Sequence, residues 1–212
     1  MCAVIKRGIL GGFQNKIGNV VGTSWKGIAV MKSLPLSVSN PRTTGQVTQR
    51  GKFSVISKVG SSLLAGIIKP LWDRFAQEES GFNAFVRENI DNVEPDGGVH
   101  IGEMIISKGK MVAVNPTSAV ADVSLNTIVV NWPTALPDAY SQSTDLAYLV
   151  VNGEPREDFK VAGGTVPRSA GTATVPYTGM TAGQNFSAYL AFKRVDGTVV
   201  SNTGAIVGTI QA

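Results

Sequence analysis

Ten cations precede the first anion in this chain. Lys6, Arg7, Lys16, Lys26, Lys32, Arg42, Arg50, Lys52, Lys58 and Lys69 all lie before Asp73, and no aspartate or glutamate lies among them. The remaining residues hold all fifteen acids and the other nine bases, so the overall balance of +4 conceals a strong polarity. Solvated surfaces usually mix both signs, and a one-signed segment this long points to a polyanion or an acidic partner surface. Lys16, Lys26, Lys32, Arg42, Arg50, Lys52 and Lys58 are spaced along the chain rather than packed in a run. Spaced cations beside glycines suit a phosphate backbone, because the chain can lie close and each cation releases a counterion. Trp25 and Phe13 are the aromatics placed to stack bases. Trp25 has a second reading as a packing anchor, and the arm itself can instead enter a neighbouring subunit whose acids, from Glu78 to Glu103, meet its cations.

Other chemistries lack their parts. His100 is the single histidine and stands beside Gly97-Gly98 with no triad motif around it, so it reads as a hydrogen-bonded surface residue. Cys2 is the single cysteine, which rules out an intrachain disulfide and a zinc site of the usual Cys/His composition. Gly45-Gln-Val-Thr-Gln-Arg-Gly51-Lys52-Phe53 resembles a phosphate-binding loop. However, five residues separate its glycines instead of four, and Phe53 stands where Mg²⁺ needs a hydroxyl. Glu78-Glu79 reads as a solvated helix face. No catalytic residue, cofactor, metal or small-molecule substrate is expected. The first residues do not have the order of a secretory signal, and no apolar run of about 18 residues predicts a membrane span.

The elements that carry the cations divide into zones, and the fold class predicted is α+β. Residues 1–42 form a basic glycine-rich extended arm with short strands around Asn19-Val20-Val21 and Ile28-Ala29-Val30-Met31, closed by Pro35 and Asn40-Pro41. Residues 43–98 form a small helical segment. Thr43 or Thr44 caps a first helix with Phe53, Ile56, Val59, Leu63 and Ile67 on one face. Gly51, Gly60 and Gly66 weaken that helix. Pro70 starts a second over Leu71–Glu79, and Ser80 caps a third with Phe82, Val86, Ile90 and Val93 in line. Residues 99–115 read as a β-hairpin connector turning at Lys108-Gly109-Lys110.

Residues 116–212 carry short alternating runs at sandwich spacing. Ile128/Val130/Trp132, Leu146/Tyr148/Val150, Ala173/Val175/Tyr177 and Phe186/Ala188/Leu190/Phe192 are the expected inward sets. An immunoglobulin-like or fibronectin-like β-sandwich of six or seven strands follows. It is expected to fold alone, whereas the arm, lacking a core, is not.

Ile5-Lys-Arg-Gly-Ile-Leu-Gly-Gly-Phe13, Lys16-Ile-Gly-Asn-Val-Val-Gly-Thr-Ser-Trp-Lys-Gly27, Met31-Lys-Ser-Leu-Pro35 and Asn40-Pro-Arg-Thr43, followed by Gln46 and Arg50, resemble an uncharacterised family of proteins from Bacteroidetes bacteria and their phages. The resemblance covers the arm and first helix, and extends more loosely over Ile106–Gly109 and the sandwich. It implies organisation and lineage and carries over no catalytic residue.

The function expected is that of a structural, non-enzymatic assembly protein. It would be a capsid-associated bacteriophage virion component, assembled in the host cytoplasm and anchored by its basic arm. Its partners would be further copies of itself, other virion proteins, or nucleic acid through residues 1–72. The alternatives are a cell-associated binding module that uses the sandwich, and a cytoplasmic nucleic-acid binder.

Overall fold

The computed structural model of the chain describes residues 4–5, 12–35, 37, 40–100, 102–153, 159–179 and 181–211. The chain divides into two compact units, Met1–Thr43 and Thr44–Ala212.

The first unit is an antiparallel meander of β1 (Val4–Ile5), β2 (Phe13–Ile17), β3 (Val20–Trp25) and β4 (Ile28–Ser33), in sheet order β1-β2-β3-β4. Two tight turns join its last three strands, at Gly18-Asn19 and Lys26-Gly27. Lys26 and Gly27 have φ of 48° and 84°, the left-handed pair that a two-residue hairpin turn needs. The sheet is longer and more fully paired than the extended arm expected. It has almost no core, because among the residues whose side chains are described Gly22 alone is buried. Phe13 lies across Gly22 so closely that a Cβ there would run into its ring.

The second unit contains the helices and seven further strands among the described residues. The strands are β5 (Ser118–Asp122), β6 (Thr127–Asn131), β7 (Leu146–Asn152), β8 (Phe159–Pro167), β9 (Thr172–Pro176), β10 (Asn185–Lys193) and β11 (Gly204–Thr209). They form two antiparallel sheets, β5-β6-β9 and β11-β10-β7-β8. In chain order this is an immunoglobulin-like sandwich whose fourth strand joins the second sheet instead of the first. With the helices it makes an α+β fold. The inter-sheet core holds Ile128, Val130, Trp132, Val175, Tyr177, Phe186, Ala188, Leu190 and Phe192, as the alternation requires. On β7 the inward residues are instead Ala147, Leu149 and Val151, while Tyr148 and Val150 face the other way.

That outer face is covered by helices. The first, α1 (Thr44–Leu63), continues through a π-helical turn at Leu64–Ile68 into α2 (Lys69–Leu71), and α3 (Gly81–Asn89) follows. The π turn lies just before Pro70, which has no N–H and whose ring crowds the preceding turn. Ile56, Val59, Leu63, Ile67, Ile68, Leu71, Trp72 and Phe85 pack with Val150, Tyr189, Ala191 and Val200 in a second core. The glycines that weaken α1 lie where neighbours come closest: a Cβ on Gly60 would meet Phe82, and one on Gly66 would meet Val161. The 28-residue helical run Thr44–Leu71 is long and apolar enough to cross a membrane by length and composition, contrary to expectation. Its apolar stripe, however, lies in this second core.

Four further expectations are corrected. Phe53 is 54% exposed, because burial along α1 begins only at Val55. The second helix stops at Leu71 instead of Glu79, and Glu78 takes a left-handed φ of 59° that no α-helix accommodates. Ser80 does cap α3, its side chain accepting from the Asn83 N–H.

The hairpin at 99–115 is absent. Ile105 exchanges hydrogen bonds with the Asn89 side chain. The Ile106 and Ser107 N–H groups donate to Thr203 Oγ1, and Met111 bridges Ser201. The segment is a strap that sends Met104 and Ile106 into the helical core and Val114 into the sandwich core. Finally, the sandwich does not close on itself, because its four-stranded sheet is buried on both faces and residues 44–211 share one unit.

Candidate functional site

The basic residues fall into three groups. Lys6 and Arg7 lie outside the described residues. Lys16, Trp25, Lys26, Lys32 and Arg42 belong to the first unit and are exposed. Arg50, Lys52 and Lys58 lie on α1, with Arg50 and Lys58 exposed and Lys52 half-buried. The phosphate-loop look-alike Gly45–Phe53 is part of α1, not a loop after a strand.

Within the first unit the strand register brings the chemistry together. Lys16 of β2 and Lys32 of β4 each pair directly with Val21 of β3. Thr23 pairs with Val30, and Trp25 with Ile28. Paired residues of antiparallel strands point to the same side, and alternate residues share it. One face therefore carries Lys16, Val21, Lys32, Thr23, Val30, Trp25 and Ile28. Trp25 is 56% exposed, which settles it against the packing-anchor reading within this unit. The Lys26 ammonium lies 5.2 Å from the centroid of its ring, a cation–π contact at the turn. Phe13 serves the opposite face, over Gly22.

In the second unit, three arrangements had no sequence signal or only a weak one. A cleft of about 320 Å³ opens beside α3, lined by Trp72, Phe75, Glu79, Arg87, Glu88 and Lys108. Its charges satisfy one another: Arg87 pairs with Glu79, and Lys108 lies 2.8 Å from Glu88, whose acidity it strengthens.

His100 bridges two carboxylates, with Nε2 2.7 Å from Glu94 and Nδ1 3.0 Å from Glu103. The hydrogen bond to Glu94, helped by Glu103, raises the imidazole pKa above 6.5 against a smaller opposing desolvation.

Arg168 and Asp145 are fully buried together at 3.4 Å, and the guanidinium carbon sits 3.8 Å from the Phe192 ring centroid. Burial pushes the arginine pKa down, and Asp145 opposes it. Trp132 Nε1 donates to the Arg168 carbonyl, so the pair is tied into the sandwich core. Among the described residues no group of three or more His, Cys, Asp or Glu side chains could hold a metal ion.

The molecule is thus an immunoglobulin-like sandwich with a helical layer, preceded by a basic β-meander. Residues 12–207 match the family model DUF6266, a family of unknown function, and the chain belongs to that family. None of the curated proteins matches it. Among solved structures it is similar to the fn3 domain of the human collagen alpha-1(XX) chain. The solution structures of that domain are 15% identical over 50% of this chain and 92% of that one, at a TM-score of 0.36. A crystal structure of an FN3 domain of human collagen XX is 13% identical over 48% of this chain and 98% of that one, at 0.32. The sandwich assignment rests on the strand order described above.

Proposed function

We propose that this chain is a non-enzymatic assembly protein, a capsid-associated component of a bacteriophage virion, and that the arm sheet is its attachment element. The observation that carries this reading is the missing core of the meander. Ile17, Trp25, Ile28 and Met31 are exposed large hydrophobics on a single sheet whose edge strand β4 has unpaired backbone groups on its outer side, among the described residues. Native proteins cover, twist away or charge such edges, and large apolar side chains exposed on both faces of one sheet, Trp25 and Ile28 on one and Ile17 and Met31 on the other, mark surface that a partner covers. The virion setting draws on the resemblance of the Trp25-Lys-Gly27 and Asn40-Pro-Arg-Thr43 segments to an uncharacterised family from Bacteroidetes bacteria and their phages. The paired charges of the α3 cleft and the clamped His100 agree with a structural role.

Mass spectrometry of purified particles tests the proposal. Recovery of this chain in fixed stoichiometry with the major shell protein supports it. Its absence from particles, with the chain found in the host cell fraction, rejects it.

A further inference from the structure

The arm face described above gathers residues that the sequence spreads from Lys16 to Lys32. The two lysines stand on strands separated by two strand spacings, about 10 Å. Trp25 lies four residues along β3 from Val21, about 13 Å away. Between them Val21, Thr23, Val30 and Ile28 make a mostly apolar floor. Cations at one end, an exposed indole at the other and an apolar surface between them are the elements of a single-strand platform, where phosphates are neutralised and bases stack on an aromatic ring.

We propose that this face binds single-stranded nucleic acid, with one base stacked on Trp25 and the flanking phosphates held by Lys16 and Lys32. The charge pattern selects this occupant. The first 72 residues contain no acid, so the arm of a second copy would meet this face with like charge, whereas a polyanion complements it. The exposed indole selects a single strand, because Trp25 can stack only on a base that is free of its pairing partner and its neighbours in a duplex stack. Lys26 covers one side of the indole at 5.2 Å, and a stacking base displaces it toward a phosphate. No side chain on the face reads base edges, so binding is indifferent to sequence. This names a partner that the attachment reading leaves open. Its test uses no particles, so either proposal can fail alone.

Trp72 and Trp132 are 5% and 4% exposed, so a fluorescence change on adding a ligand reports Trp25. The full chain is titrated with a thymidine oligonucleotide at low salt. Saturable quenching is expected, with affinity falling about tenfold between 50 and 200 mM salt if two or three phosphates are neutralised. Changing Lys16→Ala and Lys32→Ala together should abolish most of that salt dependence. Changing both to Arg should restore it, which separates loss of charge from misfolding of the arm. Four outcomes overturn the proposal: no quenching, quenching unchanged by the alanine pair, equal binding of a duplex of the same length, or a fluorescence change produced by raising protein concentration alone. The last would identify a second copy as the occupant.

Discussion

β10 and β4 are both apolar strands, and the molecule treats them in opposite ways. β10 reads Asn-Phe-Ser-Ala-Tyr-Leu-Ala-Phe-Lys and is buried at seven consecutive positions. β4 reads Ile-Ala-Val-Met-Lys-Ser and is exposed at five of its six. The difference is layering. β10 lies between β7 and β11, with Phe186, Ala188, Leu190 and Phe192 turned to the second sheet and Tyr189 and Ala191 turned to the helices. β4 is the edge of a sheet that, among the described residues, has no second layer within its own unit. Burial is therefore a property of what the rest of the unit stacks on a strand, and an apolar strand without a layer is surface in need of a partner.

The largest effect that tests this contrast is removal of a layer. A fragment of residues 116–212 lacks the helices and uncovers Val150, Tyr189, Ala191 and Val200. It should fail to give a cooperative urea transition, whereas residues 44–212 should give one. A fragment of 116–212 as stable as 44–212 would make the helical layer an accessory and restore the sandwich as an independent domain.

Single substitutions sharpen the same contrast. Asp145→Ala leaves Arg168 fully buried without its carboxylate, and breaking a buried pair from one side costs about 3–5 kcal/mol. Trp132→Ala empties a site where the ring meets Phe192 edge-on at 5.8 Å and donates to the Arg168 carbonyl, also at a cost of about 3–5 kcal/mol. Trp25→Ala is the same chemical change in the other sheet and should stay within about 0.5 kcal/mol. Denaturation midpoints of the full chain compare all three. A Trp25→Ala cost approaching that of Trp132→Ala would mean that the arm has a core after all.

How much was legible in the sequence follows the same division. Phe186, Ala188, Leu190 and Phe192 could be read because every intervening residue of β10 offers less apolar bulk except Tyr189. Leu146, Tyr148 and Val150 were assigned to the wrong face because β7 is apolar on both, and alternation has no contrast where both faces are buried. The strap through Met104 and Met111 imitated a hairpin because its true partners, Asn89 and residues 200–203, are distant in sequence and act partly through side chains. The cations of the arm were plain from composition. Their meeting on one face was not, because register depends on the turns at Gly18-Asn19 and Lys26-Gly27. Arg168 and Asp145 lie 23 residues apart with no local pattern to join them.

The smallest effect belongs to His100, and it separates the two units by pH. The arm zone contains neither histidine nor carboxylate, and an ordinary thiol such as that of Cys2 titrates higher, so a side-chain titration between about pH 5.5 and 7.5 belongs to the second unit. Glu94 and Glu103 raise the His100 pKa above its ordinary 6.5. A group whose folded pKa is raised binds its proton more tightly in the native state. Its contribution is complete below the unfolded pKa and is lost as pH rises through the folded value. Stability should therefore decline over that range. The decline should be below about 1 kcal/mol, because the imidazole is 32% exposed and the carboxylates more so, which leaves the pair screened by solvent and salt. His100→Gln should flatten the profile, and residues 44–212 should show the same profile as the full chain. The single imidazole can be followed directly by proton NMR. A midpoint at or below 6.5 would mean that the two carboxylates do not clamp the ring in solution. A pH profile present in the full chain but missing from residues 44–212 would place a titrating contact in the arm, where the sequence supplies no histidine or carboxylate for one.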